Sequence, residues 1–496
     1  MTCILAIDQG TTGSTCLVVT ADGRAVGRGY REISQFYPQP SWVEHDAHEI
    51  LLCTLDAARE ALADAWRREQ AVPVAIGITN QRETIVLWDR ITGQAVHRAI
   101  VWQDRRTADR CATLAPYAAM IARRTGLVID PYFSATKLEW LLAQSGIAER
   151  VVRGELLVGT IDTWLIWNLT GRDVHATDHT NASRTMLYDI NERAWNDELL
   201  TLFNVPRALL PDVRTSSGDF GVTRVEHLGI ALPIRGVAGD QQAALFGQGG
   251  WFAGGSKNTY GTGAFLLLNS GTRRPIARPG LLTTIACDAT GLPVFALEAS
   301  IFIAGAAIQW LRDGLGLLAH AADSEALARS LTGTDGVYFV PALVGLGAPD
   351  WEPNARGTIV GLTRGTTRAH LARAALEAMA FATCDVLGAM RANTDVAFTV
   401  LRVDGGASSN DWLMQFQADV LGVPVERPDI VETTALGAAG LAGIAVGVWP
   451  DAASFLSARQ FTRFVPAIGG EAARAAHGGW RRAVRAALFW ARDSHG

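Results

Sequence analysis

The amino-acid sequence predicts an α/β protein built from two related halves. Apolar strand-like segments alternate with segments of helical spacing along the whole chain, which is the pattern of α/β proteins. Two hairpins with polar, glycine-rich tips, near residues 10 and 261, share one design because an apolar strand follows each tip. A third glycine-rich loop, residues 404–410, connects a strand to a helix. Three such loops after apolar strands predict two halves around a nucleotide cleft.

The first hairpin carries the clearest phosphate-binding pattern. Gly10 and Gly13 allow backbone conformations that other residues avoid, and they let an anion approach the backbone N–H groups. Thr11 and Thr12 add hydroxyl donors, and Asp8 offers carboxylate oxygens to a metal ion that bridges phosphates. The same residues are also typical of an ordinary tight turn. The segment alone leaves both interpretations open.

Apolar spacing and turn residues predict the main elements between these loops. We expect the boundary between the halves within residues 247–255, where two pairs of glycines flank Trp251, which gives domains 1–250 and 251–496. The predicted elements are a helix over 48–68, strands over 74–78, 234–238, 264–268 and 398–403, and a helix over 412–421.

Composition excludes several classes of protein. Of the 496 residues, 49% are apolar and 19% charged, which is typical of a globular chain of several domains. The net charge of −5 provides no basic surface for nucleic acid. Apolar runs stay below the roughly 20 residues that a membrane span needs. Six scattered cysteines indicate free thiols rather than a zinc site or disulfides, so we expect a cytoplasmic protein.

Asp240 stands between the apolar segment 234–238 and a stretch of helical spacing. An aspartate there is typical of a helix N-cap, because its oxygen accepts a hydrogen bond from an N–H group of the first turn. The same carboxylate is a candidate general base that takes a proton from an alcohol as it attacks a phosphoryl group. Both roles stay open at this point.

Arg82, Glu83 and Trp102 follow predicted strands in the first half. In a cleft, Arg82 and Glu83 would suit vicinal hydroxyls, because one hydroxyl group both donates and accepts a hydrogen bond. Trp102 would then cover the apolar carbon edge. The alternatives are a solvated charge pair and, among fifteen tryptophans, an ordinary core or surface side chain.

These segments together resemble the FGGY carbohydrate kinases, and among them the members that phosphorylate glycerol. The similarity covers nearly the whole chain. Two stretches resemble the signature segments of the family, residues 132–140 with Lys137 and residues 357–371. The other matching segments are the first phosphate loop and residues 77–84, 100–103, 126–134, 162–167, 180–186 and 238–242.

The resemblance implies two RNase H/actin-like ATPase domains that flank a nucleotide cleft. It implies ATP-dependent phosphorylation of glycerol to sn-glycerol 3-phosphate, the first step of glycerol catabolism, with Mg²⁺ and with Asp240 as the base. Carried over to this sequence, the glycerol contacts would be Arg82, Glu83, Tyr132, Asp240 and Gln241, with Trp102 and Phe265 as an apolar wall. The nucleotide would lie on Thr11, Thr12, Thr262, Gly305, Gln309, Gly406 and Asn410, with Asp8 near the Mg²⁺ ion.

The chain also departs from the family pattern. Gly13 and Thr15 stand where well-known bacterial members that phosphorylate glycerol have serine and arginine. Ala231 replaces the arginine used in inhibition by fructose 1,6-bisphosphate, and residues 467–480 lack the docking segment for a phosphotransferase-system regulator. We therefore expect neither form of regulation. Family members form dimers and tetramers, so the resemblance implies a homodimer or homotetramer.

Three rival functions remain at this stage. A pentulose or sugar-acid kinase of the same family is disfavoured by Arg82 and Glu83 with the aromatic wall. An actin-like or chaperone ATPase would not need such a polyol site. A catalytically inactive relative is disfavoured because Asp8 and Asp240 are both present.

Overall fold

The computed structural model describes residues 2–276, 280–430, 432–467 and 470–493. Up to residue 247, sheets and short helices alternate. In chain order the elements are β1 (Thr2–Gln9), β2 (Gly13–Thr20), β3 (Ala25–Glu32), β4 (Glu44–His45), α1 (Ala47–Glu69), β5 (Val72–Asn80), β6 (Ile85–Asp89), β7 (Ala99–Ile100), α2 (Ala108–Thr113), α3 (Ala118–Thr125), α4 (Ser134–Leu142), α5 (Ile147–Val152), β8 (Leu156–Thr160), α6 (Ile161–Leu169), β9 (Ala176–Asp178), α7 (His179–Ala182), β10 (Tyr188–Asp189), β11 (Ala194–Trp195), α8 (Asp197–Leu202), β12 (Asp212–Arg214), α9 (Val225–Leu228), β13 (Ile234–Gly239) and α10 (Asp240–Gly247).

The second part of the chain begins its sheet at residue 256. Its elements are β14 (Ser256–Tyr260), β15 (Ala264–Gly271), β16 (Leu282–Cys287), β17 (Pro293–Ile301), α11 (Gly305–Gln309), α12 (Asp323–Arg329), β18 (Tyr338–Val340), β19 (Thr358–Val360), α13 (Arg368–Arg391), β20 (Leu401–Asp404), α14 (Asp411–Leu421), β21 (Val425–Pro428), α15 (Thr433–Ala445), α16 (Ala452–Ser457), β22 (Phe461–Phe464) and α17 (Gly470–Asp493).

Two sheets repeat the same strand order and direction. The first sheet runs β13-β5-β1-β2-β3, with β13, β5 and β1 parallel and with β2 and β3 antiparallel to their neighbours. The second contains β21-β20-β14-β15-β17 in the same arrangement of directions. It adds β16 and β22 at its two edges. The repeat confirms the prediction of two related halves.

The phosphate loops lie at equivalent ends of these sheets. The first is the turn between β1 and β2, where Gly10 N donates to Gly13 O at 2.9 Å. The second is the turn between β14 and β15, where Gly261 N donates to Gly263 O at 2.8 Å. The third follows β20, which is parallel to β14. Both predicted hairpins are therefore confirmed.

A helix of the second half covers the first sheet. α15 packs on β1, β5 and β13, and also on α10. A Cβ atom on Gly77 would lie 2.0 Å from Ala438 O, so β5 and α15 approach closely only because Gly77 has no side chain. Residues 248–255 connect α10 to β14. The division into domains 1–250 and 251–496 stays a prediction.

Most predicted elements agree with the structure. The helix over 48–68 corresponds to α1, which Asp46 caps by accepting hydrogen bonds from the N–H groups of His48 and Glu49. The strand predicted over 398–403 is wrong at its start, because β20 begins only at Leu401. Within the described ranges, no helix is both long and apolar enough to cross a lipid bilayer.

Candidate active site

Two arginines and two glutamates form a buried cluster between the halves. Arg82 donates from Nη1 to Glu298 Oε2 at 2.7 Å and from Nη2 to Glu298 Oε1 at 2.9 Å. Arg184 donates to Glu298 Oε1 at 3.0 Å and to Glu83 Oε1 at 2.6 Å. All four residues are at most 3% exposed. Burial alone would raise the pKa of Glu298, but Arg184 and Arg82 outweigh it and lower the pKa to about 2.

Glu83 lies in this cluster on a strained backbone. Its φ of 63° falls in the left-handed region, which residues other than glycine rarely adopt. Ser134 Oγ holds this turn by donating to Glu83 O at 2.8 Å, and Thr84 N donates to Arg82 O at 2.7 Å. Strain of this kind persists where the surrounding structure enforces it, often at functional sites.

Asp240 opens towards solvent at the edge of the cluster. It is the first residue of α10, and the N-cap position belongs to Gly239, so the capping alternative is wrong. Asp240 Oδ1 lies 3.2 Å from Arg82 Nε and accepts a hydrogen bond from Gln241 N at 2.7 Å. Its side chain is 32% exposed, and Oδ2 has no hydrogen-bond partner among the described residues.

Trp102 and Tyr132 form an aromatic wall beside Arg82. Their rings meet edge to face at 5.5 Å, and both side chains are half-buried. Arg82 Nη2 lies 3.4 Å from the Tyr132 hydroxyl oxygen. Trp102 Nε1 donates to Thr11 Oγ1 at 2.9 Å, which ties the wall to the first phosphate loop. Phe265 is half-buried on β15, and no ring contact joins it to this wall in the described part of the chain.

Gln241 connects the site to a buried lysine. Lys257, on β14, donates from Nζ to Gln241 Oε1 and, at 2.7 Å, to Thr259 Oγ1. Gln241 and Thr259 are half-buried, whereas Lys257 is fully buried. The site therefore joins α10 of the first half to β14 of the second.

A cavity of about 470 Å³ lies in the second half. All five nucleotide contacts expected there line this cavity: Thr262, Gly305, Gln309, Gly406 and Asn410. The Thr262 carbonyl accepts hydrogen bonds from Ala304 N and Ala306 N, which holds the second phosphate loop on the first turn of α11. Asn410 caps α14, because its Oδ1 accepts from Leu413 N at 2.9 Å.

Gly405 makes the close packing at this cavity possible. Its φ is 81°, and a Cβ atom there would lie 2.2 Å from Tyr260 O. Gly405 thereby lets the third loop approach the end of β14, the strand that carries Lys257.

Asp8 lies near the end of β1 and Thr12 on the first loop, and neither lines this cavity. Burial, together with the charge of Asp240, raises the pKa of Asp8 to about 7. Thr12 is exposed, and its carbonyl accepts a hydrogen bond from Ile33 N. Gly13 is needed for strand packing, because a Cβ atom there would lie 2.4 Å from Arg31 O.

The sequence interpretation missed three functional candidates, Glu298, Arg184 and Lys257. Glu298 carried a local signal, because it is a lone charge inside the apolar strand β17. Arg184 lay in a segment of family resemblance but was assigned no role. Lys257 follows Ser256 at the start of β14, where a lysine is unremarkable. Arg82 and Glu83 were expected to form an open pair that binds substrate hydroxyls. In the structure both side chains are buried, at 3% and 1% exposed.

Comparison with known proteins agrees with this geometry. Residues 3–247 match the model of the FGGY family of carbohydrate kinases, N-terminal domain, and residues 256–446 match the C-terminal domain. The chain is 54% identical to glycerol kinase from Halorhodospira halophila, over 99% of this chain and 98% of that protein. It is 54% identical to glycerol kinase from Symbiobacterium thermophilum, over 99% of both.

A solved structure supports the same assignment. The crystal structure of Plasmodium falciparum glycerol kinase with ADP superposes with a TM-score of 0.93 at 35% identity, over 98% of both chains. The predicted fold class, two actin-like ATPase domains of mixed α/β structure, is thereby confirmed. Both family models and full-length relatives agree, so this chain belongs to the FGGY family of carbohydrate kinases.

Proposed function

We propose that this protein transfers the terminal phosphoryl group of ATP to glycerol and so forms sn-glycerol 3-phosphate. The observation that carries the proposal is the arrangement of Asp240 beside Arg82, Tyr132 and Trp102. Relatives that are 54% identical over nearly their full length are glycerol kinases, which supports glycerol as the acceptor. The cavity lined by Thr262 and Asn410 supports a nucleotide as the donor.

Asp240 is proposed as the general base. Arg82 and the Gln241 N–H group hold Oδ1, which leaves Oδ2 to accept the proton of the glycerol hydroxyl. The oxygen that loses this proton attacks the terminal phosphorus atom, and the bond to the bridging oxygen of ADP breaks. Because phosphoryl transfer needs little covalent help, catalysis depends on alignment and on charge stabilisation.

The polyol is proposed to lie against the half-buried edges of the site. Tyr132, Asp240 and Gln241 present polar atoms there, and Trp102 presents an apolar ring. Both terminal nitrogens of Arg82 already have protein acceptors, and the weakest contact is the one to Tyr132 at 3.4 Å. A substrate hydroxyl would replace that contact. Phe265 and Glu83 complete the proposed site as wall and buried acceptor.

The nucleotide is proposed to span the second-half cavity and the first loop. Its base and ribose would occupy the space lined by Gly305, Gln309, Gly406 and Asn410. Its phosphates would face Thr262 and the hydroxyl groups of Thr11 and Thr12. This orientation brings the terminal phosphate towards Asp8 and Asp240, between the two halves.

Asp8 is proposed as the protein ligand of Mg²⁺. No group of three or more His, Cys, Asp or Glu residues in the described chain could hold a metal ion. Mg²⁺ commonly binds through one or two carboxylates, substrate phosphates and water, and Asp8 fits this pattern. A cation there would offset the repulsion from Asp240 that contributes to the raised pKa of Asp8. When bound, Mg²⁺ neutralises charge on the phosphates.

The family resemblance supports an oligomer, and the six scattered cysteines support a reducing compartment. We propose a homodimer or homotetramer in the cytoplasm. Size-exclusion chromatography with light scattering measures the first, and cell fractionation the second.

Acceptor specificity tests the main proposal. Purified enzyme is incubated with MgATP and either glycerol, xylulose, ribulose, gluconate or no acceptor, and ADP formation is measured. We expect ADP to form with glycerol and sn-glycerol 3-phosphate to accumulate in equal amount. Turnover with a ketopentose but not with glycerol would point instead to a pentulose kinase. Acceptor-independent ATP hydrolysis of equal rate would point to an actin-like ATPase.

A further inference from the structure

Lysine is used only twice in this chain. Of the 44 lysine and arginine residues, only Lys137 and Lys257 are lysines, and both are fully buried beside the candidate site. Arginine supplies the positive charge everywhere else. A lysine ammonium differs from a guanidinium in being a compact point charge with three donors on a flexible stem.

The two lysines have different kinds of partner. Lys137 Nζ donates to backbone carbonyl oxygens, to Val101 O at 2.8 Å and to Tyr132 O at 3.2 Å. Carbonyl groups carry no proton and cannot rotate, so Lys137 only holds the backbone of the aromatic wall in place. Lys257 Nζ instead donates to two side chains, Gln241 Oε1 and Thr259 Oγ1.

An ammonium group can donate but cannot accept, and this fixes the polarity of both partners. Gln241 must turn its oxygen towards Lys257, so its amide nitrogen becomes the free end. That nitrogen has no hydrogen-bond partner among the described residues. Thr259 accepts from Lys257 through its oxygen, so its own hydroxyl proton is available to another acceptor. Both side chains are half-buried, so neither is fully enclosed by protein.

The charge on Lys257 also faces the reacting carboxylate. Burial lowers the pKa of Lys257 to about 8, although the charges of Asp404 and Asp240 favour its protonated form. Lys257 is therefore mainly a cation at neutral pH. Two residues beyond Thr259, the chain enters the loop whose Thr262 lines the nucleotide cavity. The donors set by Lys257 thus belong to the segments that carry Asp240 and the proposed phosphate site, since Gln241 follows Asp240 and Thr259 precedes Thr262 by three residues.

We propose that Lys257 is a positioning residue for phosphoryl transfer, which turns Gln241 and Thr259 into hydrogen-bond donors towards the oxygens that gain negative charge in the transition state. This inference rests on the proposed glycerol phosphorylation. Preorganised donors of this kind act in the transition state because they need no rearrangement when charge develops. The lysine ammonium places its charge at one point between the two side-chain oxygens, whereas a guanidinium would spread the charge over a planar fork.

The first test is Lys257→Met, which keeps the length of the side chain and removes its donors and charge. We expect kcat with glycerol and MgATP to fall by about 10- to 100-fold, with a much smaller change in the Kd of glycerol measured by calorimetry. The matched control is Asn258→Ala. Asn258 is equally buried on the opposite face of β14 and donates to Thr383 Oγ1 at 3.2 Å. The Asn258→Ala substitution should lower the midpoint temperature of thermal unfolding and leave kcat unchanged.

A double-mutant cycle separates positioning from simple destabilisation. If Lys257 acts through Gln241 and Thr259, then Lys257→Met in a Gln241→Leu/Thr259→Val background should lower kcat by less than about threefold further, because both groups that it orients are already absent. If Lys257 had only a structural role, the free-energy costs of the substitutions, calculated from kcat, would add. Additive losses would overturn the inference.

Failure of the inference and of the proposed function are distinguishable. If the wild-type enzyme forms no sn-glycerol 3-phosphate, the proposed function is wrong. If the wild type is active and the Lys257→Met variant is equally active, only the proposed role of Lys257 is wrong. If Lys257→Met does not fold, Thr259→Val takes its place, since it removes a hydroxyl group at constant shape. We then expect kcat to fall by about tenfold, and an unchanged kcat would overturn the inference.

Discussion

Asp240 and Arg82 share a contact that occupies one oxygen of the Asp240 carboxylate and leaves the other open. Oδ1 is held by the Arg82 guanidinium and by the Gln241 N–H group, and Oδ2 is open. Arg82 is itself held by Glu298 from the other half of the chain. The orientation of the proposed base therefore depends on a residue 58 positions further along the sequence, which no local pattern connects to it.

Asp240→Asn is expected to lower kcat by about 10²- to 10⁴-fold, because the amide cannot accept the hydroxyl proton. Binding of a non-hydrolysable ATP analogue, measured by calorimetry, should change little. The matched control is Asp197→Asn, since Asp197 is also the first residue of a helix but is exposed and paired with Arg207. Activity of Asp240→Asn within a few-fold of wild type would show that another group is the base.

Glu298→Gln is expected to lower the free energy of unfolding by about 3 kcal/mol or more, because two buried guanidinium groups lose their common counter-ion. It should also lower kcat/KM for glycerol, since Arg82 is no longer fixed. The matched control is Glu377→Gln, which breaks a buried pair with Arg373 that does not touch the site. The control should lower stability and leave kcat/KM unchanged.

The difference in the free energy of unfolding between wild type and Glu298→Gln should depend on pH. The pKa of Glu298 is about 2 in the folded state against an ordinary value of 4.5, so its ion pairs stabilise the fold fully above pH 4.5. That contribution is lost as the pH falls from 4.5 towards 2. The gap between wild type and Glu298→Gln in the free energy of unfolding should therefore be constant above pH 4.5 and narrow below it. Denaturant titrations at several pH values measure the gap, and widening at low pH would contradict the assignment.

At the scale of elements, the contact between α10 and α15 joins the two halves. Both helices are rich in small residues, and a Cβ atom on Gly437 would lie 1.8 Å from Ala243 O. A glycine in a helix usually costs stability, so its presence here reflects the close approach of the two backbones. Because α10 begins with Asp240, the packing of α15 also fixes the position of the base.

Gly437→Ala is expected to destabilise the protein by about 1–3 kcal/mol, because the added methyl group overlaps the backbone of α10. Gly388→Ala is the matched control, since Gly388 lies within α13 and an added Cβ would meet nothing within 4 Å. That change should stabilise by up to about 1 kcal/mol through helix propensity. Urea unfolding of both variants checks the contrast, and equal effects would show that the helix contact is not tight.

Elements were predictable where their signals are local. Helix α1 combines a capping aspartate, Asp46, with apolar residues at helical spacing, and its prediction was correct to within one residue at each end. Strand β20 was predicted to begin at Phe398 but begins at Leu401. The apolar run continues on both sides of that boundary, so periodicity cannot locate it, and pairing with β14 and β21 sets its length.

At the scale of the whole molecule, one hydrophobic cluster draws on both halves. Ile4, Leu17 and Val19 of the first sheet pack with Leu436 and Trp449 of the second half. Trp449 also donates from Nε1 to Ala21 O at 2.8 Å. One face of the first sheet is therefore covered by residues that lie more than 400 positions away in sequence. The first sheet therefore shares a hydrophobic cluster with the second half of the chain.

A fragment of residues 1–250 is therefore expected not to fold on its own, because the face that α15 covers would be exposed to water. It should bind 1-anilinonaphthalene-8-sulfonate and lack a cooperative thermal transition, whereas the intact chain should unfold in one calorimetric transition. Addition of the fragment 251–496 should restore a cooperative transition. A cooperative transition in residues 1–250 alone would contradict this account.

The sequence by itself determined the repeated hairpins, the carboxylates Asp8 and Asp240, and the family. These are local features, because turn chemistry and strand alternation depend on neighbouring residues and appear in any short window. Only the tertiary structure decided that Arg82 pairs with Glu298, that Lys257 donates a hydrogen bond to Gln241, and that α15 covers the first sheet. Such contacts depend on which distant groups are buried together, since a buried charge must find a partner wherever the fold supplies one.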